Sequence, residues 1–197
     1  MILKNIKLRS ELQKFISKAK EIEDILVFGS LMRGKEKPND IDILVIFKNK
    51  IDKEMEYNLG KILRKYYPSI SLISKYREDI RKSSFNARES VLFEGFSLLS
   101  GKNLAQEYGF NSFGMFKYDF SQWDKLQKTK FYYGLNGRRG EGISQKLDCI
   151  RLSDKVILVP LNKTEKFREF LESWNLEYKY IPLLIPERWG KKGLLEK

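Results

Sequence analysis

The stretch of this 197-residue chain best equipped for chemistry is residues 25–47. An apolar run from Ile25 to Phe28 stops at Gly29-Ser30, a loop with Arg33, Gly34 and Pro38 follows, and a second apolar run, Ile41 to Phe47, opens on two carboxylates, Asp40 and Asp42. β-Branched runs broken by Gly and Pro predict strand, turn and strand. Side chains two apart on a strand share a face, so Asp40 and Asp42 are expected to present their carboxylates together. Paired carboxylates suit a hard cation such as Mg²⁺, or Mn²⁺ in its place, with substrate phosphates and water completing the octahedron. A glycine at the turn lets a phosphate approach the backbone. If Ser30 starts a helical turn through Arg33, its hydroxyl and free N–H groups point at the anion. Taken singly, the same residues also read as a helix cap at Ser30, solvated acids at a strand entrance and a surface charge at Arg33.

Gly29-Ser30, two residues, Arg33-Gly34, then Asp40-x-Asp42 leading into a hydrophobic strand resembles the signature of the DNA polymerase beta superfamily of nucleotidyltransferases, especially its minimal members. The resemblance spans residues 1–110. It implies a small mixed sheet with covering helices, an α/β (α+β) nucleotidyltransferase fold. It also implies that Gly29 and Ser30, with Arg33, grip an NTP, while Asp40 and Asp42 hold Mg²⁺ as metal ligands and catalytic residues. Active members of the family carry a third carboxylate on the next strand, as general base and second-metal ligand. Here Ser69 and Ser71 occupy that strand, and the nearest acids are Glu78 and Asp79. Serine cannot deprotonate an alcohol near neutral pH without a base of its own. Two functions therefore stay open. One is Mg²⁺-dependent transfer of a nucleoside monophosphate from an NTP to an acceptor hydroxyl, on RNA or DNA or on a protein side chain. The other is a catalytically impaired module of the same fold that binds nucleic acid or acts as a regulatory, antitoxin-like partner of another protein.

Elements that position these residues follow from periodicity. Leu8, Leu12, Phe15, Ile16 and Ala19 predict an amphipathic helix over 7–22; Met55, Leu59, Ile62, Leu63 and Tyr66 predict another, stopped by Pro68. A third strand is expected over 69–74, a basic stretch from Lys75 to Arg88 near the mouth of the site, and a helix over 86–100 closed by Gly101.

The pattern changes near Gly109, so a second small α+β domain is expected over 111–197. Phe116, Tyr118 and Phe120 alternate as an aromatic strand. Ser121 to Asp124 suggests a helix start, with Trp123, Leu126, Lys130 and Tyr133 on one face and Gly134 as its end. The following Gly134–Gly142 loop carries four glycines and the adjacent Arg138 and Arg139, a candidate contact for RNA or DNA phosphates; a plain connection is the other reading. Residues 156–160 form a strand, Asn162 to Glu165 a helix cap, Phe167, Phe170, Leu171 and Trp174 a buried stripe, and 176–185 an edge strand marked by Pro182. Residues 186–197 read as a partly mobile tail.

Composition bounds the partners. Lys and Arg number 38 against 26 acids, a net +12. The excess is even: 21 basic against 15 acidic residues up to 110, and 17 against 11 after it. Such a balance favours polyanionic partners. Histidine is absent and Cys149 is alone, which excludes imidazole catalysis, Cys/His zinc sites and an internal disulfide. With neither a signal-peptide core nor an apolar run long enough to span a bilayer, a cytoplasmic protein without membrane contact is expected.

Overall fold

The computed structural model describes residues 5–189, which divide into two compact units. The first comprises the chain up to Tyr108 except for Arg33–Lys35; those three residues cluster with the second unit, which begins at Gly109.

In the first unit the order is α1 (Ile6–Ile16), β1 (Ile22–Phe28), β2 (Ile41–Phe47), α2 (Lys53–Arg64), β3 (Ile70–Tyr76), α3 (Arg88–Glu94), β4 (Phe96–Ser97) and α4 (Leu104–Glu107). The sheet runs β3-β2-β1-β4, with β2 and β3 parallel and the other pairs antiparallel. It is therefore mixed, as expected. Apart from Asp42, β2 is apolar because it is buried on both faces. Ile43, Val45 and Phe47, with Ile25 and Val27, pack against Leu8 and Leu12 of α1 and Leu59 and Leu63 of α2. Leu44 and Ile46, with Leu26 and Phe28, pack against Phe85 and Val91. Asp42 falls in register with this second stripe, so period two aims it toward the α3 side.

Caps explain where the helices start. Asn5 Oδ1 accepts from Leu8 N–H at 3.1 Å, and Asp52 Oδ1 accepts from Glu54 and Met55 N–H at 2.9 and 3.0 Å. Two expected helices are shorter. α1 stops at Ile16, leaving Ala19 in the turn before β1. The helix expected over 86–100 ends at Glu94: Gly95 turns the chain, its N–H bonding Val91 O at 2.8 Å, and Phe96–Ser97 pairs with β1 as a fourth strand.

The second unit holds β5 (Phe110–Tyr118), α5 (Lys125–Asn136), α6 (Ile143–Lys146), β6 (Ile150–Ser153), β7 (Val156–Pro160), α7 (Thr164–Ser173) and β8 (Tyr178–Pro186). Its antiparallel sheet runs β6-β7-β5-β8, so β8 is an edge, where Pro182 is tolerated. Phe116, Tyr118, Ile157 and Val159 on one face meet Phe131 and Leu135 of α5 and Phe167 and Leu171 of α7.

Three local expectations are corrected here. α5 begins at Lys125, with Asp124 as its cap in a reciprocal capping box with Gln127; Trp123, just before it, packs among Phe120, Phe131 and Trp174, apart from the exposed Leu126 and Tyr133. Gly134 lies inside α5 against Phe170 and Trp174, and Gly137, with φ +81, ends the helix. α7 has no side-chain cap, because the Arg33 carbonyl accepts from Glu165 N–H at 3.1 Å and so satisfies the helix end that Asn162 was expected to cap. Of the expected tail, Pro186 closes β8 and Glu187–Trp189 forms a 3₁₀ turn; residues 190–197 lie outside the described residues.

Among the described residues no helix is long and apolar enough to cross a membrane.

Candidate functional site

The site is built where β1 ends. Phe28 is the partner of Asp42 across the β1–β2 pair, and Gly29 leaves the strand with φ +81, a conformation that costs a residue with a Cβ about 1–2 kcal/mol. The turn is closed by Met32 N–H donating to Gly29 O at 3.0 Å. Residues 30–34 are turn and not helix. Two carboxylates meet at this glycine. Asp42 lies so close that a Cβ on Gly29 would stand 2.2 Å from its Oδ2. Glu94, at the end of α3 and only 5% exposed, accepts the Gly29 N–H at 2.9 Å. Ser30 is half-buried, and among the described residues no hydrogen bond engages the N–H of Ser30 or Leu31. The turn thus has one amide tied down from below and two left for an anion.

Asp42 is half-buried as the second residue of β2, whereas Asp40 is exposed on the bend just before it. Next to Asp42 on β3 stands Ser71, its parallel partner. Glu78 and Asp79 do not supply the missing acid. Glu78 lines an open cavity of about 410 Å³ with Arg77 and Arg81, and Asp79 is paired with Lys82 at 2.6 Å. Among the described residues no group of three or more His, Cys, Asp or Glu side chains is arranged to hold a metal ion. What remains is Asp42 beside the Gly29 turn with Asp40 two residues before it, two carboxylates that offer hard oxygen donors. That pair fits a single Mg²⁺ that takes its other ligands from phosphate and water.

The family model described as "Polymerase beta, Nucleotidyltransferase" matches residues 10–98. The first unit is a domain of that family. The match includes Gly29, Ser30, Asp40, Asp42 and Glu94, and stops before the second unit begins. No curated protein matches the chain. Three solved structures are similar to part of it. A double Asp-to-Glu mutant of the toxin–antitoxin MntA-HpeT is 20% identical, covering 46% of this chain and 70% of its own, with a TM-score of 0.34. A toxin–antitoxin with AMP-PNP is 22% identical over 46% and 71%, at 0.34. The tri-AMPylated Shewanella oneidensis HEPN toxin in complex with MNT antitoxin gives 20%, 47% and 69%, at 0.32.

The other expected site residues stand elsewhere. The Arg33 side chain of the nucleotidyltransferase motif is engaged within the second unit: its Nε donates to Glu165 Oε1 at 2.9 Å. Its carbonyl also accepts from Thr164 Oγ1 at 3.3 Å, and Gly34 lies against the Asn162 backbone with φ +93. Arg138 and Arg139 are exposed at the loop after α5. In the basic stretch, Arg77 pairs with Glu23 and Arg88 with Glu89, and Lys75 sits over the Phe85 ring.

Glu94 is the site residue that sequence reasoning missed. In the sequence, Glu94-Gly95 resembles only the helix that often closes minimal members of the family, a weak match that gives Glu94 no role at the turn, and no spacing signal ties it to Gly29, 65 positions away.

Proposed function

We propose that the chain is a Mg²⁺- or Mn²⁺-dependent nucleotidyltransferase that moves a nucleoside monophosphate from an NTP to an acceptor hydroxyl. The observation that carries this reading is the contact of the Asp42 carboxylate with the Gly29 turn, which joins a cation ligand to a phosphate cradle. In it, the Ser30 and Leu31 amides and the Ser30 hydroxyl bind phosphate oxygens, and Asp40 and Asp42 hold the cation. When bound, that cation would neutralise charge on the triphosphate and polarise the α-phosphoryl group. Glu94 fixes the turn. The acceptor oxygen forms a bond to the α-phosphorus, the bond from that phosphorus to the bridging β-oxygen breaks, pyrophosphate leaves, and the hydroxyl proton passes to solvent. Arg33, engaged by Glu165, would reach the phosphates only by exchanging that partner.

Ser71 beside Asp42, where a base is wanted, favours a second reading: a module that binds nucleotide but turns over little, acting as a regulatory partner. One experiment separates the two. The protein is incubated with each labelled NTP, Mg²⁺ or Mn²⁺ and total cellular RNA, alongside Asp42→Asn, with circular dichroism to verify folding. Incorporation that falls at least about a hundredfold in Asp42→Asn supports transfer. Nucleotide binding without incorporation, lost in the variant, supports the second reading. Incorporation unchanged by Asp42→Asn refutes the role given to the carboxylate.

A further inference from the structure

The exposed side of α5 carries a stripe that the core does not use. Leu126, Lys130 and Tyr133 recur at helical spacing, all exposed, and the Arg138 guanidinium lies over the Tyr133 ring at 4.9 Å from its centroid. The loop that follows is closed on itself. A Cβ on Gly137 would stand 1.9 Å from the Gly140 carbonyl oxygen, and one on Gly142 would stand 2.3 Å from both Gly137 N and Leu135 O. Side chains of α6 brace it: Ser144 Oγ donates to Leu135 O at 2.7 Å and Gln145 Nε2 to Asn136 O at 3.0 Å. The loop therefore has a fixed tip, with Arg138, Arg139 and Glu141 exposed on it and open space at Gly140.

Some cations of the unit are held by carboxylates and others are not; Lys117, Lys125, Lys128, Lys146 and Lys179 are, like those of the tip, without an ion pair among the described residues. Arg33, Arg151, Lys155 and Lys163 each pair with a carboxylate. Among the described residues Lys130, Arg138 and Arg139 make no such pair. Unpaired cations beside a half-exposed ring supply the two things a single strand needs, phosphate neutralisation and a stacking platform. An acidic protein surface would use the charges and leave the ring idle.

We infer that Tyr133, Arg138 and Arg139, with Lys130, form a binding surface for single-stranded nucleic acid. The assignment does not rest on the transfer reaction and stands whether or not the first unit turns over.

The test is fluorescence anisotropy of the full chain with a labelled single-stranded RNA 16-mer over a range of salt, with DNA of the same sequence, an RNA duplex and polyglutamate as further arms. The expected result is binding of single strands. Arg138→Ala with Arg139→Ala weakens it about tenfold or more and lowers the salt slope by about 1.4, two phosphate contacts at roughly 0.7 each. Tyr133→Ala weakens it about fivefold or more at unchanged slope. RNA and DNA binding alike identifies the shared phosphate-and-base chemistry; RNA alone narrows it to a contact with the 2′-hydroxyl. The inference is overturned if single strands do not bind, if these folded variants bind like the parent, or if duplex or polyglutamate binds as well through the same residues.

Discussion

Gly29→Ala is the most direct probe of the geometry at the turn. The new methyl would stand 2.2 Å from Asp42 Oδ2 and 3.2 Å from its Cγ, so the carboxylate must move by roughly 1 Å to restore van der Waals contact. Displacing that half-buried carboxylate costs about 1 kcal/mol. The backbone adds about 1–2 kcal/mol, because alanine must hold φ near +81. The two terms separate in a double-mutant cycle with Asp42→Ala. That variant removes both close atoms and leaves only Cβ, at an ordinary 3.5 Å. Gly29→Ala should then cost the backbone term alone in the Asp42→Ala background, and about 1 kcal/mol more in the parent. Urea denaturation followed by circular dichroism reads the stabilities; tryptophan fluorescence is a control, since Trp123, Trp174 and Trp189 all lie in the second unit. Nucleotide incorporation should fall far more than stability does, by about a hundredfold, the usual effect of a 1 Å misplacement at a reacting centre. Additive stability effects, or full incorporation by Gly29→Ala, would refute the contact as drawn.

Two further substitutions test the fold around the sites. Asp24 accepts from Ser97 Oγ and Ile25 N–H, both at 2.7 Å, and burial pushes its carboxyl above the ordinary 3.8. A raised folded-state pKa gives stability that is present below the unfolded value and lost as pH rises through the folded one. Asp24→Asn keeps the acceptor and removes that loss, so its melting temperature relative to the parent should be higher at about pH 7 than at about pH 3.5; a difference independent of pH would contradict this. In α5, a Cβ on Gly134 meets only ring atoms of Phe170 and Trp174 at 3.4 Å, so Gly134→Ala should stabilise by up to about 1 kcal/mol through helix propensity. Gly137→Ala, with φ +81 and a backbone oxygen 1.9 Å away, should cost at least about 2 kcal/mol, and thermal melts that rank the two the other way would show the loop to be slack.

Most of the first unit was legible because its sequence obeys local rules. β2 begins and ends where the apolar run does, at Ile41 and Phe47. What escaped was decided by contacts distant in sequence. Phe96–Ser97 continues an apolar helical pattern and becomes a strand only because the free edge of β1 takes it. Asn162 loses its capping role to the carbonyl of Arg33, about 130 residues earlier, which no local pattern announces. Gly134 reads as a stop in sequence and is in fact a packing glycine under two rings.

The Gly29 turn is where several stability rules fail together. An aliphatic residue at 42 would continue the buried stripe of Leu44 and Ile46; the chain has a carboxylate there. A helix end such as Glu94 is ordinarily solvated, yet its carboxylate is buried under one amide. Gly29 itself adopts a backbone that only glycine takes without strain. The two carboxylates take places that favour apolar side chains, and they converge with Gly29 on the same few ångströms, beside two amides that no hydrogen bond engages among the described residues. A fold shaped for stability alone would scatter such departures; their concentration at the mouth of β2 is what a bound polyanion with its counter-cation would select for.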